Sequence, residues 1–240
     1  MNVTTEHTSG FGVGVYSLSE AARLVRMRPE KVKRLLKGYA WGERPGRRAG
    51  SSPALFRGQY ADAGGILNLS FLDLIELAFV RDFSRQGLSL RVIRRAAQVA
   101  ADIFKDVDHP FCTYKFVTDG ETLFLDAASE EGDSTMLDLV KKQHVFDLVM
   151  KPFVKQLQYS ETGKLLRWFP LGTGTSVVLD PRFCFGAPVV LEHNVPTSAL
   201  YGAYKAGETD KEIANWYGVS VRAVRAAIQY ESELALPLAA

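Results

Sequence analysis

Lys31, Lys33, Arg34 and Lys37 fall within one nine-residue run, PEKVKRLLK, on the side of a helical period opposite Val32, Leu35, Leu36 and Tyr39. A helix with one apolar and one cationic face holds anions rather than breaking bonds. Its lysines neutralise phosphate, and an arginine can read a guanine edge with two parallel hydrogen bonds. Arg28 precedes the run, and Arg44, Arg47, Arg48 and Arg57 follow it in a Gly- and Pro-rich stretch. From Ser17 to Tyr60 eleven Lys and Arg face three acids, a net of +8, although the whole chain of 240 residues carries only +2. These nine cations are the candidate contacts to nucleic acid. The other ligand that such a face accepts is an acidic protein.

Other reactive side chains are not arranged for catalysis. His7, His109, His144 and His193 are scattered, and Cys112 and Cys184 form no C-x-x-C. The chain has no H-E-x-x-H, no G-x-S-x-G and no phosphate-cradling P-loop. Gly10, Gly12 and Gly14 imitate a dinucleotide fingerprint, but no strand precedes them, so residues 1–15 read as a flexible lead-in. His109 and Cys112 in HPFC read as a structural junction. No catalytic residue, metal site or cofactor is expected, and the protein reads as a non-enzyme. With no apolar run of 18 residues and no signal-peptide layout at its start, a cytoplasmic protein without a membrane partner is expected.

The elements that must position the cations follow from caps and periodicity. Ser17 and Glu20 have capping-box spacing, and Leu18, Ala21, Ala22 and Val25 then mark one apolar face. Pro29 suits the first position of a second helix, so the pair reads as a helix-turn-helix with a basic wing behind it. Ser70 caps a further helix in which Leu72, Ile75 and Phe79 recur, and Gly87 ends it. A fourth helix starts after Ser89, with Leu90, Ile93, Ala97, Ala100 and Phe104 on one face and Arg91, Arg94 and Arg95 elsewhere.

Beyond Asp102 the charge reverses, to a net of −7 between Asp102 and Asp147. That stretch should keep away from DNA. Alternation around Asp119-Gly120 predicts a β-hairpin with Phe111 to Val117 and Thr122 to Leu125 as its strands. A helical pattern opens at Ser134, and short strands are expected at Lys164 to Phe169 and Ser176 to Leu179. Near the end, Thr209 and Glu212 repeat the capping-box spacing, and Ala214, Gly218 and Val224 have the separations of a second helix-turn-helix. The first unit has the same frame at Ala22, Arg26 and Val32. From Lys205 to Tyr230 the net charge is only +1, so Ser220, Arg222 and Arg225 are candidates for a second contact, with DNA or with a protein.

Two stretches resemble known families. SLSEAARLVRMRPEKVKRLLKGY with LSFLDLIELAFVRDF resembles the MerR-like winged helix of VapB-type antitoxins, and VVLDPRFCFGAPVVLEHNVPTSALYGAYKAGETDKEIANWYGVSVRAVRAAIQYE looks like the bacterial domain of unknown function number 433. HPF, TDG and RWFP between them are similar to connecting motifs of the same antitoxins. The resemblance implies an antitoxin of a type II toxin-antitoxin pair that neutralises a PIN-domain ribonuclease toxin and binds its own operator DNA. It also implies a homodimer or a toxin-antitoxin hetero-oligomer. An Arg or Lys would silence the toxin's carboxylates, with Arg222, Arg225 and the Arg91 to Arg95 group as candidates. The expected fold is mainly α with small β elements: a flexible segment 1–15, a winged helix-turn-helix 16–105, an acidic α/β connector 106–178 with the hairpin, and a three-helix helix-turn-helix domain 179–240. The competing readings are a stand-alone MerR-like regulator with a central effector-binding or protein-interaction domain, and a pure protein-interaction module.

Overall fold

The computed structural model describes residues 13–43, 48–55, 58–60, 66–104, 108–114, 116, 122–124, 126–127, 129 and 151–237. The chain divides into two compact units. The N-terminal unit comprises Ser17–Lys155 and Tyr159–Leu165, and the C-terminal unit comprises Leu166–Pro237, Gln156–Gln158 and the residues up to Tyr16. The fold is mainly α with small β elements.

In the N-terminal unit, after the two-residue strand β1 (Tyr16–Ser17), helix α1 (Leu18–Leu24) begins where Ser17 Oγ accepts the Glu20 N–H at 3.2 Å. Ala21, Ala22 and Leu24 are buried, and Arg26 turns the chain with a left-handed φ of 51°. Helix α2 (Pro29–Lys37) follows, with Pro29 in its first turn as its missing N–H permits. Val32, Leu35 and Leu36 are buried as the periodicity predicts, but Tyr39 is 39% exposed. The helix has ended before it, at Gly38 with φ of 71°, and Tyr39 opens strand β2 (Tyr39–Trp41). A side chain at position 38 would meet the Ser52 carbonyl at 2.6 Å, so the close return of β3 (Gly50–Ser52) requires glycine there. The two strands pair antiparallel, Tyr39 with Ser52 and Trp41 with Gly50.

Strand β4 (Asn68–Leu69) leads into α3 (Phe71–Arg85), whose capping box is complete: Ser70 Oγ accepts from Asp73 N–H, and Asp73 Oδ2 accepts from Ser70 N–H at 2.7 Å. Phe71, Leu74, Ile75, Leu77, Ala78, Phe79, Val80 and Phe83 are all buried, so α3 is the post around which this unit packs. Phe79 meets Phe83, Phe111, Phe116 and Phe153 at ring separations of 4.3–6.3 Å. Each such ring removed from water contributes roughly 1.5–3 kcal/mol. Helix α4 (Leu90–Phe104) buries Val92, Ile93, Ala96, Ala97 and Ala100.

The expected hairpin is overturned. Pro110–Cys112 is a turn of 3-10 helix, and the described residues Tyr114, Phe116, Thr122, Leu123 and Phe124 are helical; Asp119-Gly120 lies outside the described residues. The alternation of FCTYKF was misleading because Phe111 and Phe116 converge on one buried cluster while Tyr114 is 54% exposed, so the aromatics do not share one sheet face. The Phe111 and Cys112 N–H groups, which a strand would pair with a neighbour, are instead both taken by Glu76 Oε1. The pattern from Ser134 to Met150 also lies outside the described residues.

A sheet of order β5-β6-β7-β8-β9 is formed by Leu157–Tyr159, Leu165–Trp168, Val177–Leu179, Pro188–Val190 and Val195–Pro196, all of it in the C-terminal unit except Tyr159 and Leu165. The pairings from β6 onward are antiparallel. β6 and β7 lie where short strands were expected, whereas β8 and β9 were not foreseen and β5 replaces the end of the helical pattern expected from Ser134 to Tyr159. Helices α5 (Thr197–Lys205), α6 (Asp210–Tyr217) and α7 (Val221–Ala235) complete the unit. Val177, Val189, Val190, Leu200, Ile213 and Val224 are each fully buried.

Candidate nucleic-acid interface

Helix α2 is fixed from behind and open in front. Its buried Leu35 also accepts the Leu55 N–H through its carbonyl at 2.7 Å, which ties the segment after β3 to the helix. Arg81 on α3 donates to the Val25 carbonyl at 3.2 Å while its Nε and a second nitrogen hold Asp82 at 2.6 and 2.7 Å. The turn between α1 and α2 is therefore anchored to the central post. On the opposite side Lys31, Lys33, Arg34 and Lys37 are exposed, as is Arg28 at the start of the helix. Arg48 is exposed beside β3. Arg44, Arg47 and Arg57 lie outside the described residues.

The wing adds two aromatic side chains that the charge pattern did not reveal. Trp41 lies flat over Gly50, where a Cβ would meet the ring at 2.7 Å, and its indole N–H donates to the Arg48 carbonyl at 3.0 Å. Tyr39 sits between Trp41, 5.4 Å away between ring centroids, and the Arg34 guanidinium, 5.4 Å from its ring. The available signal was the Y-x-W spacing after a glycine, which is strand periodicity and not a fourth helical position. Next to these rings, a cleft of about 360 Å³ is lined by Tyr39, Trp41, Ser52, Arg91, Arg94 and Arg95 among others.

Ser220, Arg222 and Arg225 occupy the C-terminal unit in a different electrostatic setting. Arg222 donates to the Gly174 carbonyl at 2.9 Å, and Arg225 Nε pairs with Asp210 at 2.8 Å. Ser220 caps α7 through Ala223 N–H, while its own N–H and hydroxyl both donate to the Glu192 carboxylate. That clasp holds the Glu192 carboxyl below the usual range, the backbone N–H being the main cause. A carboxylate thus already occupies the start of α7.

His109 is structural, as HPFC suggested. Its Nε2 lies 2.7 Å from Asp73 Oδ1, both groups being buried, and the pairing ties the 3-10 turn to the cap of α3. Beside it burial pushes the Glu76 carboxyl up to about 8, against the partial relief given by His109 and the two N–H groups. Glu76 Oε2 and the Tyr159 hydroxyl are buried without a hydrogen-bond partner among the described residues. No group of three or more His, Cys, Asp or Glu could hold a metal ion among the described residues. Likewise, no described helix is long and apolar enough to cross a membrane.

Residues 177–230 match the model of a family described as a protein of unknown function (DUF433). Along 235 residues the chain is 26% identical to "Putative antitoxin VapB45" of Mycobacterium tuberculosis strain H37Rv, covering 91% of this chain and 94% of that one. The crystal structure of Rv2018 from Mycobacterium tuberculosis shares the fold with a TM-score of 0.66 at 22% identity, over 91% of this chain and 98% of the other. Both likenesses extend across the two units, whereas the family match falls within β7 to α7.

Proposed function

We propose that this protein is the antitoxin of a type II toxin-antitoxin pair, which binds its own operator DNA through a MerR-like winged helix-turn-helix and neutralises a PIN-domain ribonuclease. The observation that carries the reading is α2, with Val32, Leu35 and Leu36 buried behind it and Lys31, Lys33, Arg34 and Lys37 exposed in front. Similarity along nearly the whole chain to a protein named as an antitoxin supports the toxin half of the reading. In this assignment α2 enters the major groove, Arg34 reads a base edge, and Arg28, Lys31, Lys33, Lys37 and the wing arginines Arg44, Arg47, Arg48 and Arg57 grip phosphates.

The toxin is assigned to the C-terminal unit. Arg222 and Arg225 are engaged within the unit, while Trp216 is 64% and Tyr204 45% exposed, and Trp and Tyr are among the residues most enriched at binding hot spots. Two measurements test the proposal. In a gel shift with the DNA upstream of the gene, Lys33→Ala with Arg34→Ala should weaken binding at least ten-fold. Co-expression with the neighbouring reading frame should yield a complex that Trp216→Ala weakens. Unchanged operator affinity in the first would remove the DNA half, and a neighbouring product that neither binds nor is inhibited would remove the toxin half.

A further inference from the structure

The cleft between the wing and α4 has a composition of its own. Arg91, Arg94 and Arg95 recur at i, i+3 and i+4, so α4 turns all three guanidinium groups toward one side, with Gln98 one turn further on. Facing them are the wing side chains Tyr39, Trp41 and Ser52, and no acidic residue among the described residues lines the cleft. Arg94 also carries a buried Nε with no hydrogen-bond partner among the described residues. A donor desolvated in this way is costly unless something satisfies it. Guanidinium groups beside a fixed indole form a site for an anion joined to a flat ring.

We infer that this cleft binds a nucleotide, with its phosphate on Arg91, Arg94 and Arg95 and its base against Trp41 and Tyr39. Trp41 is held ready for this because Gly50 lies beneath its ring and the Arg48 carbonyl fixes its N–H, so little side-chain freedom is lost when a base stacks on it. At about 360 Å³ the cleft lies within the range of small-molecule sites. A base still paired inside a duplex cannot stack on Trp41. The ligand is therefore a free nucleotide or an unpaired nucleotide of a strand, two sources of one chemistry. The inference does not depend on operator binding by α2.

The test is calorimetry on the full chain in metal-free buffer, with adenosine triphosphate, inorganic pyrophosphate and a short single-stranded oligonucleotide as probes. Adenosine triphosphate should bind, and pyrophosphate should bind about ten-fold more weakly because it lacks the ring. Arg94→Ala should weaken the nucleotide at least ten-fold while Arg94→Lys retains part of the affinity, both melting near the parent. Trp41→Ala should abolish the advantage of the nucleotide over pyrophosphate. Binding of the oligonucleotide alone, lost in the same variants, identifies the strand as the source and also supports the inference. Binding of neither adenosine triphosphate nor the oligonucleotide, or nucleotide affinity unchanged in Arg94→Ala, overturns it. Loss of operator binding in Lys33→Ala with Arg34→Ala, with nucleotide binding intact, leaves this site standing and separates it from the α2 reading.

Discussion

The two helix-turn-helix frames of this chain can be superposed residue by residue by adding 192. Ser17 and Thr209 cap the first helix, Ala22 and Ala214 are the small buried residues, Arg26 and Gly218 make the left-handed turn, and Val32 and Val224 fill the core. Even the closing hydrogen bond is shared: Met27 N–H meets the Ala22 carbonyl at 2.9 Å, and Val219 N–H meets the Ala214 carbonyl at 3.0 Å. What differs is the outward face. Lys33, Arg34 and Lys37 correspond to Arg225, Ala226 and Gln229, and Arg225 is already paired with Asp210. Glu192 adds a negative charge where the second helix begins, at the end whose dipole would otherwise attract a phosphate. The shared backbone frame therefore carries two different electrostatic faces, and on the proposed reading it is the charge of the second helix that selects DNA.

The largest expected effect breaks this comparison directly. With Lys31, Lys33 and Arg34 all changed to Ala, the affinity for operator DNA should fall by a hundred-fold or more. The slope of log K against log salt should also become shallower by about 0.9 for each phosphate that is no longer neutralised. Arg222→Ala with Arg225→Ala should change neither affinity nor slope by more than about two-fold. Equal losses from the two sets, measured by fluorescence anisotropy between 50 and 300 mM salt, would show that both helices touch DNA.

The buried carboxyl groups sharpen the contrast, because they titrate in opposite directions. Burial raises Glu76 in the N-terminal unit to about 8, and the proton it keeps stabilises the fold fully below the unfolded value near 4.5. This contribution is lost as pH rises through about 8. His109 is also raised: burial opposes its charge, but the bond to Asp73 and the nearby acids outweigh that, so its contribution likewise fades with rising pH. In the C-terminal unit burial alone would raise Asp180, yet bonds from Arg182 and Arg167 win and hold it low. Its contribution is present at neutral pH and lost as pH falls through the lowered value. Thus Glu76→Gln should flatten the decline of melting temperature between about pH 5 and 8, and Asp180→Ala should cost about 2–3 kcal/mol at pH 7 and progressively less as pH falls through the lowered value. Denaturant melts across pH check both. A Glu76→Gln chain that still loses stability between about pH 5 and 8 with the parent's slope would assign that loss to other groups.

Local signals in the sequence were enough for the helical frames. Ser17, Ser70, Thr209 and Ser220 all cap the helices expected of them, because a cap needs only a hydroxyl within three residues of an orphan N–H. Val32, Leu35 and Leu36 are buried and the cations beside them exposed, since one helical period places both. The signals failed where the partner is distant in sequence. Glu76 reaches 35 residues along the chain to take the Phe111 N–H, and no local pattern distinguishes that from a strand ladder. Glu192 closing over Ser220 spans 28 residues, so the blocked start of α7 was invisible although both residues were in view. Tyr39 was misplaced because the helix stops at Gly38, one residue before the period would place it inside.

The smallest effect concerns the turn, where one frame carries arginine and the other glycine. Arg26 adopts φ of 51° and Gly218 φ of 67°, a region in which a side chain costs roughly 1–2 kcal/mol. Nothing lies within 4 Å of where a Cβ at position 218 would stand, so Gly218→Arg is opposed by the backbone alone. It should destabilise by about 1–2 kcal/mol. Arg26→Gly relieves the same strain but frees the unfolded chain, which returns about 0.5–1 kcal/mol to the unfolded state, so a net gain below about 1 kcal/mol is expected. Urea melts of the two variants measure both. A loss in Arg26→Gly as large as that in Gly218→Arg would mean that the Arg26 side chain contributes more than its backbone strain costs, and that the two turns are not built alike.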